Sequence, residues 1–252
     1  MPPVVLLLFA LFALIAIVAA VMGSKAANQR RDELIALAHQ FGLSFYPGHD
    51  PDHDDHYSHF EIFRRGHSRS AYNTIAGMLE EHDSPFSTAM YVRMGDFQYK
   101  VTTNNGKTTT TTTYRFSYLI VHIPFAHCPN LLIRREGVFD WIKGALGFND
   151  IDFESAEFSK RFYVSSSDRK FAYDVITPLM MEFLMSHDAP TVDIERARVC
   201  ISNGRTRWQP AEFGQRLDWL FRFLDLWPEH VRVELAQRNT MHPDHQMLEE
   251  PR

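Results

Sequence analysis

Hydrophobic positions run unbroken at the start of the chain and mix with polar ones everywhere after it. From Val4 to Met22 all 19 residues are Val, Leu, Phe, Ala, Ile or Met, and the first charged side chain is Lys25. At about 1.5 Å of rise per residue, such a helix matches a hydrocarbon layer about 30 Å thick. This predicts a transmembrane anchor over residues 1–24. A cleaved secretory signal opens with basic residues and carries an apolar run of about 7–15 residues. Neither feature is present, although the small residues Ala19, Ala20 and Ser24 keep cleavage and export as the alternative. Lys25, Arg30 and Arg31 follow the span and no charged side chain precedes it. The bias of Lys and Arg toward the cytoplasm therefore predicts a single-pass protein of the cell membrane with a cytoplasmic soluble domain.

After the basic flank, Leu34, Leu37, Ala38 and Phe41 recur at helical spacing before Gly42, predicting a stalk helix over 25–41. Residues 42–59 read as a polar connector rich in His and Asp, in which Asp50 can cap and Pro51 can open a brief helix through about His59. An α+β soluble domain is expected over 60–238, with an alternative division into two subdomains near 147, and a flexible tail over 239–252. Val92, Met94, Phe97, Tyr99 and Val101, then Tyr114, Phe116, Tyr118, Ile120 and Val121, flank Asn104-Asn105-Gly106-Lys107 in the pattern of a β-hairpin. The threonine run Thr108 to Thr113 stiffens extended chain and belongs to the tip or edge of that hairpin.

Leu131–Ile133, Asp150–Glu154, Phe158–Val164, Thr191–Ile194 and Arg198–Ile201 carry shorter strand patterns. Phe171, Val175, Leu179 and Phe183 form a helical stripe broken at Thr177-Pro178, which gives two abutting helices or one kinked helix. Pro210 opens a last amphipathic helix with Phe213, Leu217, Leu220, Phe221 and Leu224 on one face, ended or kinked at Pro228. Trp219 lies off that face and either completes a wide buried stripe or marks a partner surface. Strands in the middle and helices late in the chain argue for an α+β fold, with an N-terminal transmembrane helix, antiparallel β-hairpins and late amphipathic helices.

Composition narrows the functional classes. With 45% hydrophobic, 13% aromatic and 23% charged residues the chain is globular, which excludes disorder, collagen and coiled coil. A net charge of -5, a pI near 6.2 and no Lys/Arg run longer than two give no overall attraction to nucleic acid. Only Cys128 and Cys200 are present, in no paired motif, so neither a disulfide framework nor a thiolate zinc site is indicated. Two thiols suit a reducing compartment, a single bridge between them being the other option.

The pattern Phe60-x2-Phe63-x2-Gly66-x2-Arg69 with Asn73 and Gly77, then Gly95-Asp96-Phe97-Gln98-Tyr99, Asp150-Ile151-Asp152-Phe153-Glu154 and Glu157-Phe158-Ser159, resembles a family of uncharacterised bacterial membrane-anchored proteins. The likeness spans roughly Phe41 to Trp227. It implies architecture alone: one or two N-terminal hydrophobic segments before an α+β domain, with no activity, ligand or catalytic residue attached. Ala156 stands where the family pattern leads us to expect a proline.

Several motifs invite chemistry. Gly106-Lys107-Thr108 has the tail of a phosphate-binding loop, but Val101 occupies the place of its first glycine and a strand follows where a helix is required. His49, His53, His56 and His59 lie among Asp50, Asp52, Asp54 and Asp55, and imidazole with carboxylate suits zinc, nickel or copper. Structural zinc motifs usually draw on two separated places, so a solvated linker helix competes with this reading. Asp150, Asp152 and Glu154 would share one face of a strand, open to acid–base work or to plain exposure. His122, His127 and Cys128 would form a thiol–imidazole pair only if folding joined them. We therefore expect no catalytic residues, no cofactor-binding residues and no cofactor. The four histidines remain the only metal candidates.

The reading that results is a non-enzymatic, membrane-tethered interaction module, its partners the membrane and an unidentified protein, with no nucleic acid. Its alternatives are an enzyme of unrecognised class, with a site assembled from Asp, Glu and His, and a metal-responsive domain.

Overall fold

The computed structural model describes residues 3–136 and 150–241. Anchor and stalk are one helix, α1 (Pro3–Gln40), continuous because nothing between Val4 and Gln40 breaks it. It is long and apolar enough to cross a membrane. From Leu11 to Met22 its large apolar side chains are exposed on every side, whereas Leu34 and Ala38 are buried in the domain. Gly42, at φ +65°, ends the helix. Leu43 N–H donates to Ala38 O and Gly42 N–H to His39 O, the pair of bonds by which a left-handed residue closes a helix C-terminus.

Eight strands form one sheet: β1 (Ser44–Tyr46), β2 (His67–Leu79), β3 (Met90–Asn104), β4 (Thr109–His122), β5 (Leu131–Arg135), β6 (Phe162–Ser166), β7 (Thr191–Glu195) and β8 (Arg198–Ser202). Their order is β1-β2-β3-β4-β8-β7-β5-β6 and every pairing is antiparallel. Strands from both sides of residue 147 thus share one sheet, and residue 147 itself lies outside the described residues. Period-2 alternation divides the side chains between two cores. Met94, Leu119, Val121, Val192 and Ile201 join the core built with the helices, while Phe97, Phe116, Tyr118, Ile120 and Cys200 join a smaller aromatic core with Tyr57, Phe60 and Phe63.

The helices α4 (Arg169–Val175), α5 (Pro178–Ser186), α6 (Pro210–Asp225) and α7 (Glu229–Met241) follow late in the chain. Thr177 caps α5 by accepting from Met180 N–H, so the broken stripe is two helices. Trp219 completes a buried stripe, 8% exposed and stacked on Phe223 at 5.8 Å. Pro228 precedes α7, and Asn239 within it donates to Pro124 O. The tail beyond Met241 lies outside the described residues.

One strand expectation fails and another holds only from Phe162 onward, where β6 begins. Residues Asp150 to Glu154 alternate in burial but pair with no strand, and Phe158 lies in a helix, α3 (Ala156–Arg161). The reason is local: Ser155 accepts from Phe158 N–H, with Glu157 in the first turn and Arg161 in the last, so a capped helix wins over β-propensity. The hairpin expectation holds at greater length, with Thr109 to Thr113 in ladder register against Lys100 to Asn104.

One interaction fastens α1 to the sheet. Asp96, fully buried, accepts from Arg30 Nε at 3.1 Å and Arg30 Nη2 at 2.7 Å, from Asn73 Nδ2 at 3.1 Å and from Ser117 Oγ at 2.6 Å. Arg30 Nη1 donates to Trp208 O at 2.7 Å. Three of the motif residues, Asn73, Gly95 and Asp96, meet here. Asn73 sits at φ +50° in a bulge of β2, and a Cβ on Gly95 would approach Asn73 O to 3.0 Å. Removing one member of a buried, hydrogen-bonded ion pair leaves an uncompensated charge and costs about 3–5 kcal/mol. Arg30→Ala or Asp96→Ala is therefore expected to destabilise the detergent-solubilised full chain by about 3 kcal/mol or more in denaturant unfolding. The Arg30→Met/Asp96→Asn double variant should lose clearly less than the two single losses combined.

Candidate functional site

The connector between β1 and β2 folds across the sheet face opposite α1. Its backbone joins the β2 edge at Asp50, which exchanges two hydrogen bonds with Ala71 at 2.8 and 3.0 Å. Asp50 Oδ1 then accepts from Asp52 N–H, turning the chain into a single helical turn, α2 (His53–His56), shorter than the helix through His59 that the capping pattern predicts. Asp54 is clamped from outside by Arg69 Nε at 2.5 Å, and Arg69 also donates to Arg64 O and Gly66 O. The expected solvated linker is thus half core.

The four histidines go to different environments. His49 accepts from or donates to Ser70 Oγ at 3.1 Å and stacks on Tyr72. His56 lines an open pocket. His53 is fully buried amid the rings of Tyr57, Phe63, Phe97 and Tyr118, at 4.7–5.7 Å between centroids, and neither ring nitrogen has a hydrogen-bond partner among the described residues. His59 is buried beside Phe60. Among the described residues no three His, Cys, Asp or Glu side chains are grouped to hold a metal ion.

What the connector covers is a cluster that sequence spacing gave no means of finding. His122, at the end of β4, packs against Tyr91 and Tyr57 and meets Arg198 Nε at 3.3 Å. Arg198 also lies over the Tyr57 ring at 5.8 Å. Arg93 pairs with Asp50 at 2.5 Å and neighbours Tyr118 and Tyr57. These positions come from β3, β4, β8 and the connector, and only the sheet register joins them: Arg198 is directly opposite His122. Beside the cluster a pocket of about 450 Å³ opens between Tyr46, His49, Asp50, His56, Tyr91 and Arg93.

Electrostatics sets what this site can do. Burial, reinforced by Arg93 and His56, holds His53 well below the usual histidine range. Burial and the nearby Arg198 hold His59 down to about 3 and His122 down to about 4. Burial pushes the Tyr118 phenol up to about 12 and raises Tyr57 as well, against the pull of Arg93. At neutral pH His53, His59 and His122 are neutral, Tyr57 and Tyr118 protonated and the two arginines charged. These groups bind through hydrogen bonds, rings and fixed cations.

The remaining candidates scatter. Asp152 and Glu154 are exposed, and Asp150 Oδ1 accepts from Val164 N–H. Cys128 is a free thiol in the helix-side core, pushed up by burial and donating to Pro129 O, while His122 faces the opposite side of the sheet. Cys200 is likewise free and buried. Gly106-Lys107-Thr108 is a hairpin turn in which Asn105 Oδ1 accepts from the Lys107 and Thr108 amides. One carboxyl stands apart: Asp193 in β7, beside Glu195, is pushed up to about 8 by burial and then by that neighbour.

Two pH dependences follow. Below about 6.5 the unfolded chain takes up a proton at His53 that the native fold refuses, so stability rises with pH across this window. His53→Phe is expected to flatten the stability–pH curve by one proton, about 1.4 kcal/mol per pH unit between pH 5 and 6. It should also gain about 1 kcal/mol at pH 7 by removing two unpartnered nitrogens. Asp193 acts in reverse: the native state keeps its proton to about pH 8 whereas the unfolded chain loses it near 3.8, so stability falls as pH rises between those values. Asp193→Asn should abolish that decline, leaving the melting temperature little changed at pH 4 and raised at pH 8.

Neither a family model nor a curated protein matches this sequence. Among solved structures, the chain is similar to the crystal structure of the mycobacterial trehalose monomycolate transport factor A, TtfA, with a TM-score of 0.45 and 10% sequence identity over 79% of this chain and 96% of that one.

Proposed function

We propose that this chain is a single-pass membrane protein whose α+β domain is a non-enzymatic interaction module, held at the cytoplasmic face in a fixed orientation. The observation that carries the reading is the continuity of α1. The same helix that is apolar on all sides from Leu11 to Met22 is buried in the domain at Leu34 and Ala38 and bolted to Asp96 between them. A flexible linker would leave the domain free to turn. This helix does not.

The state of the connector site supports a binding role over catalysis. Its buried imidazoles His53, His59 and His122 are neutral and its phenols Tyr57 and Tyr118 protonated, while the pocket beside Arg93 offers rings, hydroxyls, carboxylates and a cation to a partner. Lys25 and the exposed Arg31 flank the helix on the domain side and favour the cytoplasmic orientation.

Protease treatment of intact and opened cells expressing a C-terminally tagged chain tests the reading. The tag is expected to survive in intact cells, to be digested after opening, and to sediment with membranes. Digestion in intact cells would place the domain outside, and a tag that stays soluble after ultracentrifugation would remove the tether.

A further inference from the structure

Two stretches of the soluble domain carry cations without acids. Between Asp96 and Glu136 the chain has no Asp or Glu, and along the β3–β4 hairpin it carries Lys100, Lys107 and Arg115. No acidic residue lies between Glu195 and Glu212, a stretch holding the exposed Arg207. Past Lys100, which is opposite His67 of β2, β3 and β4 have no third strand, and every residue from Val101 to Thr112 is exposed. This two-stranded ribbon is nevertheless ordered from within. Thr102 and Thr111 share a hydrogen bond at 2.9 Å, Tyr99 stacks on Tyr114 at 5.2 Å, and Gly106 at φ +82° forms the turn with Asn105 as its acceptor. An isolated ribbon of threonines has little of its own to bury.

The membrane helix points the same way as the ribbon. Arg30 meets β3 at Asp96, whereas Leu43, just past the end of α1, packs against Gly77, the partner of Val92 in β3. The helix thus travels from the Asp96 level toward the Val92 level. Traced back from Arg30 into its apolar segment, it heads where β3 heads after leaving Asp96. Eight residues of α1 separate Arg30 from Met22, about 12 Å. Four residues of β3 separate Asp96 from Lys100, about 13 Å, so Lys100 comes level with the domain-side end of the apolar segment. Arg207 belongs to the same exit: the next residue, Trp208, accepts from Arg30 and donates its N–H to Ser117 Oγ, and Arg115 and Arg207 both act on the Tyr72 hydroxyl.

We propose that the hairpin tip, with Lys100, Lys107, Arg115 and Arg207, rests on the headgroup layer of the bilayer that holds α1 and takes anionic phospholipid headgroups. The proposal rests on the tethered reading above. Charge complementarity carries it: an acid-free basic edge meets the negative surface of a leaflet rich in anionic lipid, where each cation within a Debye length adds about fivefold to partitioning. Threonine hydroxyls donate to phosphate oxygens, and the half-exposed Tyr114 is amphipathic in the manner of residues at the membrane–water boundary.

The test uses the full chain in nanodiscs, with Thr110→Cys carrying an environment-sensitive fluorophore; the native cysteines are buried. Discs of phosphatidylcholine alone are compared with discs containing 30% phosphatidylglycerol. Blue-shifted emission and at least about twofold stronger quenching by headgroup-labelled lipid are expected in the anionic discs, lost at 1 M salt as the Debye length falls to about 3 Å. The quadruple variant Lys100→Glu, Lys107→Glu, Arg115→Glu, Arg207→Glu should lose both effects while still eluting with the discs. A chain that elutes with the discs yet gives identical, water-like emission in both lipid compositions overturns the headgroup contact and leaves the tether standing. Binding of labelled duplex oligonucleotide by such a chain would assign the cations to nucleic acid instead. A chain that fails to elute with the discs overturns the tether, and the headgroup contact with it.

Discussion

The Asp96 carboxylate has no access to water, and it is made tolerable by donors from three parts of the chain: Arg30 from α1, Asn73 from the bulge of β2, and Ser117 from β4. A buried charge of this kind is stable only with all its partners in place, because each lost donor returns a desolvation cost of kcal/mol size. The bulge at Asn73, the missing Cβ at Gly95 and the position of α1 are therefore one arrangement. Hydrophobic burial of Leu34 and Ala38 holds α1 against the sheet but is non-directional. The bidentate arginine is what fixes the register of the helix, and with it the angle between α1 and the sheet.

The two faces of the sheet then acquire different duties. One is filled by α1 and the late helices with a large core of mixed aliphatic and aromatic side chains. The other is roofed by a short polar connector too poor in apolar residues to make a core of its own, so it borrows aromatic side chains from β3 and β4. Histidine serves there as a ring. His53 is among neighbours that reward its flat face and offer its nitrogens nothing, and desolvation keeps it uncharged. The same burial that makes the roof stable keeps His53 neutral near neutral pH.

Much of this architecture is legible in the sequence. The apolar span, the Gly42 stop, the Asn-Gly hairpin and the Thr177-Pro178 break are local signals, and each appears where its residues place it. Phe158 misleads because its β-propensity is overruled by a serine cap three residues earlier. The connector misleads for a different reason: four histidines among four aspartates read as solvated from composition, yet the burial of His53 is decided by Phe97 and Tyr118, about 40 to 65 residues downstream. His122, Arg198, Arg93 and Tyr57 have no spacing relation at all, and only the register of β4 against β8 brings the first two together. Arg30 reads correctly as part of a basic flank but conceals its second use, since its carboxylate partner lies 66 residues away.

Arg30 also changes how that flank should be weighed. A cation committed to a buried carboxylate contributes little to the interfacial charge that orients a membrane helix, which leaves Lys25 and Arg31 to act from α1 alone. The acid-free edge of the hairpin and Arg207 lie on the same side of the domain as that exit. Because α1 is one continuous helix held at Asp96, these folded cations keep a fixed position relative to it. A domain free to rotate on a loose linker would spread its charges over all directions. One held by Asp96 keeps the same edge and the same pocket in a fixed position relative to α1 in every copy.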